Sequence, residues 1–104
     1  MKIDQFNEIT QAQIEYCLAV LAAKGKEYSL SDDRFDHFKE SAAEQETTPA
    51  QALWGMLSKH LSSLAGMCRG GRYPEETWVE KITDSVNYLL LLRALIQEEA
   101  NADV

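Results

Sequence analysis

The stretch 78–98, WVEKITDSVNYLLLLRALIQE, decides how this chain folds. Neither Gly nor Pro interrupts it, so backbone propensity permits one long helix. At about 100° per residue, Trp78, Ile82, Val86, Leu89, Arg93 and Ile96 fall in one stripe, with Val79 and Leu90 at its edge. The pattern predicts that this stripe is the core face and that Leu89 is fully buried in it. On the other side Glu80, Asp84 and Asn87 share a face, which Leu91 and Leu95 continue toward the C-terminus. A face that turns apolar just beyond its acids is expected to be covered. Glu80 and Asp84 are i, i+4 neighbours and Asp84 and Asn87 are i, i+3, so three oxygen-bearing side chains can converge. Such oxygen clusters suit Mg²⁺ or Mn²⁺. The plainer alternative is a pair of solvated acids that favour the helix N-terminus.

Around this helix, 104 residues suffice for one domain with a modest core. A 45% hydrophobic and 26% charged composition is that of an ordinary globular protein. With 17 acidic against 10 basic residues the net charge is −7, which opposes nonspecific binding to nucleic acid or anionic membrane. No apolar run approaches the roughly 20 residues of a membrane span. The start, Met1-Lys2-Ile3-Asp4, is unlike a signal peptide, so a cytoplasmic location is expected. Cys17 and Cys68, with His37 and His60 as the only histidines, make neither a zinc pattern nor a disulfide framework. Reduced thiols are expected, Cys17 packing as a small apolar residue.

Three more helices complete an all-α, four-helix bundle-like reading. Thr10 to Gln13 match a capping box, and Ile14, Cys17, Leu18 and Leu21 give amphipathic spacing up to Gly25, which predicts a first helix at 11–24. Residues 24–32 then read as a loop or broken helix end, in which Lys24, Lys26 and Tyr28 either contact a phosphate and a base or are merely solvated. Ser31 or Asp32 can cap a second helix at 33–45, with Phe35, Phe38 and Ala42 inward and Asp36, Lys39, Glu40 and Glu44 outward. Thr48-Pro49-Ala50-Gln51 combines an N-cap, a Pro at the first helical position and a second capping box, starting a third helix at 49–65. His60 aligns with Leu57, Leu61 and Leu64 there, which reads first as a hydrogen-bonded histidine at the core edge and second as a ligand or proton carrier. The Gly-rich stretch 66–74 carries Arg69 and Arg72, which can meet a phosphate or simply decorate a surface loop. Pro74-Glu75-Glu76 opens the last helix, expected at 75–98, with residues from Asn101 onward frayed.

The order of these features, KGKEYS (24–29), DRFDHFKESA (33–42), MLSKH (56–60) and WVEKITDSVNYLLLLRAL (78–95), resembles the small, mostly phage-borne proteins of the MazG-like, all-α NTP pyrophosphatase group. Within that group the chain is similar to the nucleotide-modification-associated branch, over roughly residues 18–98. The resemblance implies a helical nucleotide-binding fold, a homodimer or tetramer, and Mg²⁺-dependent release of pyrophosphate from a nucleoside triphosphate. Active members carry an ExxE pair on one helix and ExxD on a following one. This chain departs from that pattern: Glu80 and Asp84 form ExxxD, Asn87 stands in the next acid position, and no acid occurs between Pro49 and Gly66. Asp33, Asp36, Glu40 and Glu44 are the other acids that could substitute.

Three functions follow as expectations. In a pyrophosphohydrolase-type protein, Glu80 and Asp84 coordinate Mg²⁺, Asn87 orients water or phosphate, His60 assists, and Lys59 with Arg34 or Arg72 neutralises phosphate charge. In a non-catalytic helical interaction protein the acids are structural, Lys59 pairing with Asp84 or Glu80. In an acidic phage counter-defence or regulatory protein, the charge of −7 occupies a basic cleft on a host protein.

Overall fold

The computed structural model describes residues 1–28 and 31–102, the side chain of Tyr28 excepted. Among these residues it is all-helical: α1 (Ile3–Tyr28), α2 (Asp36–Glu44), α3 (Pro49–Arg69) and α4 (Glu75–Ala102). α3 packs against α4 and α2, and α1 lies on α4. Three of the four helices are longer than their sequence boundaries. α1 begins at Ile3 rather than residue 11, because Thr10 is not a cap: inside the helix its hydroxyl donates back to the carbonyls of Phe6 and Asn7. Nor does Gly25 end the helix, which runs on to Tyr28. Lys24 and Lys26 are therefore helical residues, and the expected contact of Tyr28 lies outside the described side chains. α3 likewise continues through Gly66 to Arg69, and α4 reaches Ala102.

The start of α3 is as its sequence predicts. Thr48 Oγ1 accepts from the N–H of Gln51, and Gln51 Oε1 accepts from the N–H of Thr48, with Pro49 at the first helical position. α2 starts differently: its N-cap is Phe35, which has no side-chain cap bond. The polar residues before it bond among themselves instead. Asp36 Oδ2 accepts from the N–H and hydroxyl of Ser31, and Asp33 Oδ1 accepts from the N–H of Phe35. Lys39 Nζ, 2.6 Å from Asp33 Oδ2 and 3.3 Å from Glu98 Oε2, then ties this turn to the end of α4. α2 closes with Thr47 N–H on the Ala42 carbonyl and Glu46 N–H on that of Ala43, Glu46 taking the left-handed position (φ 53°) that glycine usually fills.

The core joins Phe35 and Phe38, Leu53 of α3, and Leu91 and Leu95 of α4. Leu53, Leu57 and Leu95 are fully buried, each contributing about 1.5–3 kcal/mol of transfer free energy. This reverses the expected orientation of α4. Leu89 is 50% exposed and Ile96 48%, whereas the buried residues are Thr83, Ser85, Asn87, Leu91 and Leu95. The face of Asp84 and Asn87 is thus the inner one, covered as its apolar continuation required. Its polar first half meets polar groups on α1: Gln13 Nε2 donates to Thr83 Oγ1 at 2.8 Å, and Asn87 Nδ2 donates to the Cys17 carbonyl at 3.1 Å. Cys17 is fully buried, and no helix among the described residues is long and apolar enough to cross a membrane.

Candidate functional site

Where the polar half of the inner α4 face gives way to the apolar half, the four helices leave a cavity of about 250 Å³. Its floor is apolar and aromatic: Leu21 from α1, Phe38 from α2, Met56 from α3, Tyr88 and Leu91 from α4. Its polar groups are Lys24, Arg34, His37, Asp84 and Asn87. Somewhat below the roughly 300–1,000 Å³ typical of ligand pockets, it suits one planar group with a charged tail at its mouth.

The aromatic wall is fixed from several sides. Phe38 meets Tyr88 edge-on at 6.5 Å, His60 stacks on Tyr88 at 5.2 Å, and Tyr88 Oη lies 3.9 Å from Met56 Sδ. Asp84, with only 15% of its side chain exposed, has Lys24 Nζ at 3.2 Å from Oδ1 and His60 Nδ1 at 3.8 Å from Oδ2. Arg34 is half-buried and lies across α1 at Gly25. Asn87 is 6% exposed; its Nδ2 is held by Cys17, and its Oδ1 has no partner among the described residues.

The structure therefore brings together Arg34, Asp84 and Asn87, with His60 behind Tyr88, and separates the rest. Glu80 is exposed and lines a different depression with Tyr16, Glu75, Glu76 and Val79. Lys59 is exposed on α3, and Asp84 pairs instead with Lys24, with His60 Nδ1 3.8 Å from its other oxygen. Arg72 is exposed in the 70–74 connection, away from the lining of this cavity. Lys24, read from the sequence as a loop residue that either contacts a phosphate or is solvated, reaches the cavity from α1, and Phe38, read as an inward position, forms part of its floor. Tyr88 was within reach: it lies four residues beyond Asp84, on the same helix face, toward Leu91.

Among the described residues no group of three or more His, Cys, Asp or Glu side chains could hold a metal ion. Glu80 and Asp84 open to separate cavities, and among the described lining residues Asp84 is the one carboxylate of the main cavity, already beside a lysine. These donors do not fit a Mg²⁺ site, which takes several oxygen ligands in octahedral array. No family model, curated protein or solved structure matches the chain.

Proposed function

We propose that this cavity binds a nucleotide, its phosphates at Lys24, Arg34 and His37 and its planar base against Phe38 and Tyr88. One observation carries the reading. In a chain with 17 acids and 10 bases, the described residues that line the cavity reverse the balance, placing Lys24 and Arg34 against the single carboxylate of Asp84 over an aromatic floor. A local cationic mouth in an acidic protein draws an anion to that point. The fork of Arg34 suits bidentate contact with phosphate oxygens, and the ring of Tyr88, held by Phe38 and His60, offers a rigid stacking surface.

This is the binding half of the MazG-like resemblance. Mg²⁺ has a place in it as a counter-ion carried by the ligand, and Asp84 and Glu80 hold no catalytic metal between them. The test is thermal shift and calorimetry on the full chain in EDTA, with nucleoside mono- and triphosphates and with inorganic pyrophosphate, followed by pyrophosphate release in Mg²⁺. Binding without turnover is expected, with Arg34→Ala weakening it about tenfold. Absence of binding by any nucleotide overturns the reading, and pyrophosphate release restores the hydrolase.

A second reading, a helical interaction protein with structural acids, draws on the Lys24–Asp84 pair, which needs no ligand to explain it. We also propose a second copy of the chain as the partner of the outer α4 face, where Leu89, Leu90 and Ile96 are 40–50% exposed.

A further inference from the structure

We infer that Asn87 selects the ligand by accepting a hydrogen bond from an N–H donor on its planar ring. The inference rests on the nucleotide reading and goes further, to the class of ring edge that the cavity takes.

Asn87 lines the cavity and is more than nine-tenths buried. Its amide orientation is set by α1: the Cys17 carbonyl can only accept, so the group facing it at 3.1 Å is the Nδ2 donor. That leaves Oδ1 as the other end of the amide, buried and without a partner among the described residues. A buried acceptor left unsatisfied is costly, and such atoms are uncommon in native proteins. The cost is relieved when a ligand supplies a donor.

The neighbouring groups leave this job to the ligand. Gln13 is engaged with Thr83 and Cys17 Sγ, Lys24 with Asp84 and Tyr88 Oη with Met56 Sδ, while Arg34 and His37 line the same cavity without bonding Oδ1. The apolar residues of the floor offer no hydrogen. Because Nδ2 is fixed on Cys17, the amide cannot turn to present a donor, so the site accepts and does not donate at this point. A ring edge bearing an imide N–H or an exocyclic amine satisfies it, and one bearing only acceptors or a methyl group in that place leaves two acceptors opposed or Oδ1 buried beside carbon. Sites built to hydrogen-bond a ligand group reject the analogue lacking it far more strongly than apolar pockets reject a size change.

The experiment compares parent nucleotides with analogues whose donor is methylated. Calorimetry on the full chain uses thymidine monophosphate against its N3-methyl form, deoxycytidine monophosphate against its N4,N4-dimethyl form, and deoxyadenosine monophosphate against its N6,N6-dimethyl form. For at least one pair the methylated member is expected to bind about tenfold more weakly or worse. In Asn87→Leu that ratio is expected to fall to about one, which separates a lost hydrogen bond from simple bulk. Should Asn87→Leu fail to fold, infrared difference spectroscopy of the wild-type complex replaces it: the Asn amide carbonyl band shifts to lower frequency with the parent and stays unmoved with the methylated ligand. Equal binding within every pair, a ratio that persists in Asn87→Leu, or an unmoved band overturns the inference while leaving nucleotide binding intact. Failure of every nucleotide to bind overturns the cavity reading and this inference with it.

Discussion

Gly25 and Arg34 are in such close contact that a Cβ on residue 25 would lie 2.9 Å from Arg34 Nε and 3.3 Å from its Cδ. The glycine sits within α1 and its helix continues for another turn, so a helix end is not what its missing side chain provides. It provides room for the guanidinium arm to cross α1 at the cavity. Gly25→Ala is expected to move two quantities in opposite directions. Alanine raises helix propensity, stabilising the fold by up to about 1 kcal/mol, while Arg34 must move away and affinity for a phosphorylated ligand falls severalfold. Chemical denaturation and calorimetry on one preparation measure both, and unchanged affinity would remove Arg34 from the binding mouth.

The second expectation concerns the face on which α4 packs. Leu95 is fully buried against Phe35, Phe38 and Leu53, and Leu89 is half-exposed. Leu95→Ala is expected to cost about 2–5 kcal/mol through lost transfer energy and a cavity. Leu89→Ala has no such cavity to leave within the monomer. Its expected effect is on the second copy: sedimentation should show a dimer or larger assembly for the wild type at micromolar concentration and a shift toward monomer for Leu89→Asp. A wild-type monomer would leave the outer face without its proposed partner.

These α4 residues also show where the sequence is readable and where it stops. Capping at Thr48, Pro49 and Gln51 is local chemistry, and it stands in the structure as written in the chain. The orientation of α4 is not local. Leu89 and Ile96 are as apolar as Leu91 and Leu95, so periodicity offers two faces; the choice depends on Gln13 and Cys17 of α1, which bond the Thr83 hydroxyl and the Asn87 amide nitrogen. A stripe count scores those buried polar residues as solvent-facing. The cavity shows the same division: Asp84, Asn87, Arg34 and Lys24 stand out by residue type and spacing and all four line it, but the sequence places Lys24 on a loop, whereas α1 runs past Gly25 and presents it from a helix. Glu80 fell out because one helical turn carries it to another depression.

Acid is expected to loosen the turn before α2. Lys39 Nζ donates to Asp33, which, with the N–H of Phe35, holds the Asp33 carboxyl below its ordinary 3.8, and the same bond holds Lys39 above 10.5. A carboxyl lowered on folding contributes stability that is present above its unfolded value and is lost as pH falls through the folded one. The raised ammonium contributes below its unfolded value and loses that contribution as pH rises through the folded one. Asp33→Asn keeps the acceptor for Phe35 and removes the charge. The gap in urea midpoint between wild type and this variant should be flat from roughly pH 5 to 9 and close below about pH 4. Both side chains are solvent-exposed, so the gap is small, and a gap that widens in acid would exclude the pair as its cause.

Asp84 carries the last prediction, because the two functional readings part there. It sits in the cavity between Lys24 at 3.2 Å and His60 at 3.8 Å, and it is the carboxylate among the described residues that line the cavity. Lys24 is 46% exposed, so removing the pair should cost less than about 1 kcal/mol and leave the helical circular dichroism intact. In EDTA, Asp84→Asn frees Lys24 and takes a charge from beside the ligand, so affinity for pyrophosphate and nucleotides is expected to rise severalfold. Any increment that Mg²⁺ adds to wild-type binding is expected to vanish in the variant, because the Asp84 carboxylate is the only one among the described lining residues able to share an ion with phosphate oxygens. If Asp84→Asn instead unfolds the chain, and the wild type shows no response to pyrophosphate or nucleotide with or without Mg²⁺, the acid is a structural ion-pair partner and the interaction-protein reading stands in place of the nucleotide one.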